Sequence, residues 1–419
     1  MTINLLHFRS LLIAGTMTCI VSAGSVEKPF EVGTWANFCK GAVSHTFDDN
    51  TSNQLTKAVP LFNEKGFHMT IFTSPYYRPN WNGIRSAFAQ GHEIGSHSIK
   101  HESNATDFAA SQKYIQDSVP GEQCISYAYP NCTYPSGASN VYVASRGCEG
   151  YPAPKTPDFN NIKAQLIASA QYGNIMDVNG MNKLVDAAIQ EAGWSIYLHH
   201  GVEGDYMFAA TPLNDLSQNL DYIAKNRDKV WCETFGNVAR YIKERDAVTV
   251  KKKASDDKSI TVEITDNLDN KIFNYPLSIR LPVENTWDKP SVTVKQAGKD
   301  VQDTIVSVDG KEYLMFQAVP DGGDVVITFG ATTSVKNSVS FNGNAAPITR
   351  LRSSLVINRQ QFNNNISVTL FNLDGKTIAC YKLKNDESTV DLNGITFSGS
   401  TFIANVSDGV TTSSLLVHR

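Results

Sequence analysis

From about residue 41 to residue 246, short apolar runs of strand length alternate with segments of helical spacing. Residues 42–47, 69–73 and 93–96 predict strands, and 194–200, apolar but for Ser195 until its two closing histidines, predicts a buried one. Residues 54–65, 84–90, 181–192 and 236–244 place their apolar side chains three and four apart, the spacing that gathers them on one helix face. This alternation predicts an α/β fold, a parallel sheet or (β/α) barrel with its chemistry at the carboxyl ends of the strands. Asp48, Asp49 and His200 fall at such ends.

After Arg245 the pattern changes. Residues 248–252, 259–264, 277–281, 291–294, 304–308 and 324–329 alternate apolar and polar positions between Asp, Asn and Gly turns, which predicts an antiparallel sandwich. The organisation expected is a catalytic region over 24–246, a β-sandwich over 247–330, a Thr/Ser/Asn/Gly-rich linker over 331–349 and a β-rich module over 350–419. At the other end, Arg9, the apolar run 11–21 and the small residues Val21-Ser22-Ala23 read as a signal peptide over 1–23, so a secreted or cell-surface protein is expected. That run is too short for a mature membrane span, and Cys19 lacks a lipoprotein context.

A length of 419 residues suits two or three domains, and 41% hydrophobic residues suffice for their cores. The net charge of -4 offers no basic face for nucleic acid or an anionic membrane. No nucleic-acid partner is expected, and a monomer is. Beyond residue 23 lie Cys39, Cys124, Cys132, Cys148, Cys232 and Cys380, an even set that permits disulfides in an exported chain. Cys39 with Cys232 and Cys132 with Cys148 are the candidate pairs, and no CxxC knuckle is present.

Candidate chemistry centres on the adjacent carboxylates of Asp48 and Asp49 and on His97 and His101, four apart. Together they could hold a divalent metal and leave one carboxylate free as a base. Imidazole and carboxylate suit Zn2+, and Co2+ or Ni2+ could use the same set.

His45-Thr46-Phe47-Asp48-Asp49, the stretch Gly91-His92-Glu93-Ile94-Gly95-Ser96-His97-Ser98-Ile99-Lys100-His101, and Leu198-His199-His200 resemble, in order and spacing, motifs of the polysaccharide deacetylases. These are the NodB-homology domain of carbohydrate esterase family four, and the resemblance spans about residues 40 to 245. It implies a distorted (β/α) barrel, here followed by all-β sandwich modules. It makes Asp49, His97 and His101 the metal ligands, Asp48 the general base and His200 the acid. The Leu-x-His pattern selects His200 over His199, since adjacent strand residues face opposite ways. Leu198 would then wall the pocket for the substrate's methyl group. Asp177 stands where the family has an aspartate that orients this histidine, with an ordinary turn residue as the alternative.

The third family motif, Arg-Pro-Pro-Tyr, is altered. Here Ser126-Tyr127-Ala128-Tyr129-Pro130-Asn131-Cys132 puts Ala128 in place of the arginine. Arg146, in Ala144-Ser145-Arg146, is the candidate for the missing charge beside Asp48, with a surface ion pair as its alternative. Tyr129 and Asn131 would line the substrate site, with a backbone N–H near Asn131 as oxyanion donor. His45, His68 and His92 read as structural. Trp35, Tyr76, Tyr77 and Trp81 could stack on sugar rings or pack a core. Near the carboxyl end, Val368-Thr369-Leu370-Phe371-Asn372-Leu373-Asp374-Gly375-Lys376 and the closing Ser-Leu-Leu-Val-His-Arg resemble sorting domains of type IX secretion, implying secretion machinery as a partner.

The function implied is metal-dependent removal of acetyl groups from a polysaccharide, acetylxylan first, with N-deacetylation of chitin oligomers or peptidoglycan as the runner-up. A metal-containing, non-catalytic carbohydrate-binding surface protein is the alternative from another class, favoured by the altered third motif.

Overall fold

The computed structural model describes residues 24–148, 150, 152–167, 177–205, 208–284, 287, 289, 292–329 and most of 348–418. The expected signal segment, the linker as far as residue 347, and residues 373–375 of the sorting-domain resemblance lie outside the described residues. Two compact units divide the chain, Met1–Thr332 and Thr333–Arg419.

In the first unit the strands are β1 (Glu31–Val32), β2 (Gly41–Asp48), β3 (Thr70–Thr73), β4 (Glu93–Ser96), β5 (Ser126–Ala128), β6 (Ala144–Arg146), β7 (Gln165–Leu166), β8 (Trp194–His199) and β9 (Val230–Cys232). A parallel sheet runs β6-β5-β4-β3-β2-β8-β7, with β9 paired to the start of β2. Ile162 bridges Arg146 in parallel at one edge, and its segment continues into β7 beside β8 at the other. The sheet is thus bent into the distorted barrel expected, with helices packed outside.

Alternation along β2 divides the work between two faces. Val43 and Phe47 face outward and share a core with Phe62, Leu184, Val185 and Tyr197. Asp48 emerges on the opposite side. The outer helices include α1 (Val59–Lys65), α2 (Trp81–Ala89), α3 (Phe108–Ser118), α4 (Val178–Gln190), α5 (Leu213–Lys225) and α6 (Phe235–Ala247). Asn80 and Thr234 cap α2 and α6 by accepting from the N–H groups of Gly83 and Asn237. Gly95 leaves β4 room to pass its neighbours, because a Cβ there would lie 2.6 Å from the Phe72 ring and from Ser126 Oγ.

The single helix predicted over 54–65 is divided into a π-helical turn, Gln54–Ala58, and α1. Pro60 sits in the first turn of α1, where its missing N–H breaks a continuous i to i-4 ladder. Helices α3 and α5 were not predicted. The buried side of α3 is thin, Phe108, Ser111 and Ile115, whereas α5 carries a readable stripe of Leu216, Leu220 and Ile223.

Antiparallel sheets follow, as expected. One is β1 with Leu277–Pro282, Lys311–Ala318 and Asp303–Val308; the other is Thr249–Ser255, Ser259–Thr265, Val325–Thr328, Thr293–Gln296 and Lys299–Asp300. The core is continuous with the barrel: Trp35, Trp194, Phe235 and Tyr241 cluster with Ile264, Ile279, Phe316 and Ile327. The second unit holds a three-stranded and a four-stranded antiparallel sheet around Leu355, Val368, Leu370, Phe402 and Val406.

Cys132 and Cys148 form a disulfide, while Cys39 and Cys232 are free thiols. The β2–β9 register explains why the latter do not meet. Cys232 lies opposite Val43, four residues beyond Cys39, roughly 13 Å along a strand. Among the described residues no helix is long and apolar enough to cross a membrane.

Candidate metal centre and catalytic site

Asp48 ends β2, and the next residue, Asp49, turns the chain with φ of 70°. Ser98, His101, Asn131 and Cys132 also have positive φ, at 58°, 56°, 54° and 53°. Left-handed residues thus converge where β2, β4 and β5 end, and Asp49, His101, Asn131 and Cys132 among them line one cavity. That cavity, of about 860 Å³, is lined by Asp48, Asp49, His97, His101, His200, Tyr77, Tyr129, Asn131, Leu198 and Phe208, among others.

His97 Nε2 and His101 Nε2 lie 3.6 and 3.3 Å from Asp49 Oδ1. Ligands held 2.0–2.1 Å from a tetrahedral zinc stand about 3.3 Å apart, so these residues fit such an ion. The three residues also offer ligand atoms all within 4.8 Å of one another. His97 Nδ1–H donates to Ala128 O at 2.8 Å, which fixes the tautomer and leaves the Nε2 lone pair facing Asp49. His101 Nδ1 lies 3.3 Å from Tyr77 Oη, a supporting contact that the sequence did not reveal. Burial lowers His97, keeping it in the neutral form a metal requires. Burial alone would raise the Asp49 carboxyl; its contact with His101 and the charges of His97, His200 and His101 outweigh this and hold it below the usual value.

Asp48 is buried, and its Oδ2 is ion-paired with Nη2 of Arg146, itself 1% exposed. Asp48 Oδ1 is buried without a hydrogen-bond partner among the described residues. The oxygen held by the guanidinium is also the one that approaches His97 Nε2, at 3.7 Å. The charge lost at Ala128 is supplied from the end of the neighbouring strand, since β5 and β6 pair Ala128 with Arg146.

His200 and Leu198 line the cavity, and His200 Nε2 lies 3.9 Å from Asp49 Oδ2. His199 points the other way and is fully buried. Burial lowers His200, opposed by the charges of Asp48 and Asp49. Phe208 stands edge-on to its ring at 5.1 Å, a wall the sequence reading missed because it lies in a loop without periodicity.

Asp177 is not brought to this histidine. It is the N-cap of α4, with Oδ1 accepting from Gly180 N at 2.8 Å and Oδ2 facing Asn179 Nδ2. Helix capping accounts for its chemistry, and His200 Nδ1 has no hydrogen-bond partner among the described residues. Tyr129 donates its hydroxyl to Asn160 O at 2.9 Å, so it offers a substrate its ring and backbone. Asn131 Nδ2 donates to His101 O at 3.3 Å. Tyr76 is 63% exposed beside Tyr77, whereas Trp35 is wholly buried and belongs to the core.

A family model described as polysaccharide deacetylase matches residues 36–145. A gellan lyase from a Bacillus species is 31% identical over 332 residues, which is 71% of this chain and 13% of that protein. The chain therefore spans about an eighth of the length of that curated relative. The Xyl-CE4 domain of a multidomain xylanase from the hindgut metagenome of Trinervitermes trinervoides is similar at a TM-score of 0.33 and 18% identity, covering 47% of this chain and 89% of that one. A family 4 carbohydrate esterase from Streptomyces lividans, in complex with acetate, is similar at a TM-score of 0.33 and 14% identity, covering 46% and 92%. The residues matched by the polysaccharide deacetylase model take in Asp48, Asp49, His97 and His101.

Proposed function

We propose that this protein is a secreted or cell-surface enzyme that hydrolyses acetyl groups from a polysaccharide, with acetylxylan as first choice of substrate. The observation that carries the reading is Asp48: its carboxylate is held by Arg146 and lines the cavity beside the Asp49, His97 and His101 cluster, with Oδ2 3.7 Å from His97 Nε2. A site that only held an ion would need no such carboxylate. When a divalent ion is bound, it supplies Lewis acidity toward the acyl oxygen and makes water a better nucleophile. The Asp48 carboxylate accepts the proton of the attacking water. His200, across the cavity, delivers a proton to the departing oxygen or nitrogen. Leu198 and Phe208, which line the cavity, would form apolar walls for the acetyl methyl, and a backbone N–H near Asn131 would meet the developing oxyanion.

Both alcohol and amine leaving groups suit this set, so N-acetylated chitin oligomers and peptidoglycan stand second. The carboxyl-terminal sheets would serve export through sorting machinery. Acetate release from acetylated xylan, chitin oligomers and peptidoglycan, with metal-loaded and chelated protein, tests the reading. Release from acetylxylan that a chelator abolishes is expected. No acetate from any of the three would leave the carbohydrate-binding alternative in its place.

A further inference from the structure

We propose that His45, His199 and Thr211 form a one-directional hydrogen-bond line that fastens the 201–211 loop and so sets the pose of His200. All three are positioning residues, and the activity arm of the test rests on the deacetylase reading above.

The line lies on the outward side of β2 and β8, behind the metal cavity. His45 Nδ1 and His199 Nε2 are 3.0 Å apart, and His199 Nδ1 is 2.9 Å from Thr211 Oγ1. All three residues are fully buried. The two imidazoles are within 12° of parallel, and each is clamped by an aromatic face. His45 stacks on Tyr197 at 4.1 Å, and His199 stacks on Phe47 at 4.5 Å. Neither ring can turn without displacing the core.

Burial holds both imidazoles well below their ordinary range, so each is neutral and carries one N–H. Only one proton fits in the 3.0 Å gap between them. His45 Nε2 is buried without a hydrogen-bond partner among the described residues. A proton there would leave an orphaned N–H on a ring that cannot turn, whereas the opposite choice leaves only the Thr211 hydroxyl hydrogen, which rotates to suit. The proton therefore sits on His45 Nδ1 and is donated to His199 Nε2. His199 then carries its own proton on Nδ1 and donates it to Thr211 Oγ1.

The line ends at the loop that follows His200. Thr211 N donates to Gly201 O at 2.8 Å, and Thr211 O accepts from Glu203 N at 3.0 Å. The same loop places Phe208 against the His200 ring. Phe47 and Tyr197 show that apolar side chains fit this layer, so two imidazoles are unneeded for packing alone, and burying them is costly unless they are bonded.

Three variants test the line. His45→Phe removes the first donor, His45→Asn places an amide N–H where Nδ1–H was, and Thr211→Val removes the last acceptor at nearly constant shape. With the misplacement of a reacting group as the mechanism, His45→Phe and Thr211→Val should lose at least about 10-fold in kcat. KM and metal content should be unchanged, and His45→Asn should recover most of the loss. Two readouts do not need activity. Nitrogen NMR of the wild type should find His199 protonated on Nδ1 and bare on Nε2, and amide exchange across 201–211 should quicken in His45→Phe and Thr211→Val. A proton on His199 Nε2, or unchanged loop exchange in both variants, would overturn the line. If the wild type releases no acetate, the deacetylase reading fails and these two readouts still judge the line. Should His45→Phe not fold, Thr211→Val carries the same comparisons.

Discussion

Arg146 and Asp48, 98 residues apart in sequence, meet as a buried ion pair from β6 and β2, strands that three others separate in the sheet. Arg146 occupies one carboxylate oxygen, and the other has no hydrogen-bond partner among the described residues. Removing the guanidinium should harm both stability and turnover, because it leaves a buried carboxylate alone. Arg146→Met should cost about 3–5 kcal/mol in denaturant unfolding, lower kcat and spare the metal. Unchanged unfolding and turnover would show that the pair does not hold the base.

Asp48 and His97 should fail differently. Asp48→Asn should bind metal with full stoichiometry and lose turnover by about 10²–10⁴-fold, the usual worth of a positioned base. His97→Ala should lose the metal itself. Metal analysis and acetate release on both proteins separate the two roles, and full activity in Asp48→Asn would mean that another group takes the proton.

The Cys132–Cys148 disulfide closes a loop of sequence separation 16 at the rim of the cavity. Replacing both cysteines by serine should cost about 3 kcal/mol by loss of the loop constraint. The effect should also raise KM, since Asn131 adjoins Cys132. Denaturation midpoints and steady-state kinetics, with and without reductant, check this; reductant should change the wild type and leave the variant as it was.

Glu244 on α6 is buried and accepts from Tyr275 N at 3.0 Å. Burial pushes its carboxyl from the ordinary 4.5 up to about 8, with Arg240 opposing and Asp266 adding to the shift. Its folded value exceeds its unfolded one, so the folded state holds the extra proton between them. Stability from this group is therefore full below about pH 4.5, falls as pH rises, and is gone above about pH 8. Glu244→Gln should melt higher than wild type at pH 9, by an amount worth a few kcal/mol, and nearly alike at pH 4.5. Equal melting at pH 9 would show that the carboxyl ionises there without penalty.

Local patterns made much of this legible. Strand periodicity placed Asp48 at the end of β2, and alternation on β8 turned His200 inward and His199 away. Arg146 could be named as a candidate only because a family motif lacked its arginine; the β5–β6 register that delivers it is a long-range property. Asp177 misled because one carboxylate near a helix start can be either a cap or a partner, and only the fold decides. Tyr77 comes from a single 3₁₀ turn, Pro75–Tyr77, and Phe208 from a loop, both too irregular for a period to give side-chain direction.

The strand Glu31–Val32 pairs with Leu277–Pro282, so the chain crosses into the sandwich before it ever builds the barrel. A protein cut after residue 246 would strip that strand of its neighbour and bare Trp35 and Tyr241, which share a core with Ile279 and Phe316. The smallest piece of this chain expected to fold therefore begins before Glu31 and runs to Phe329, because barrel and β-sheet companion share one core.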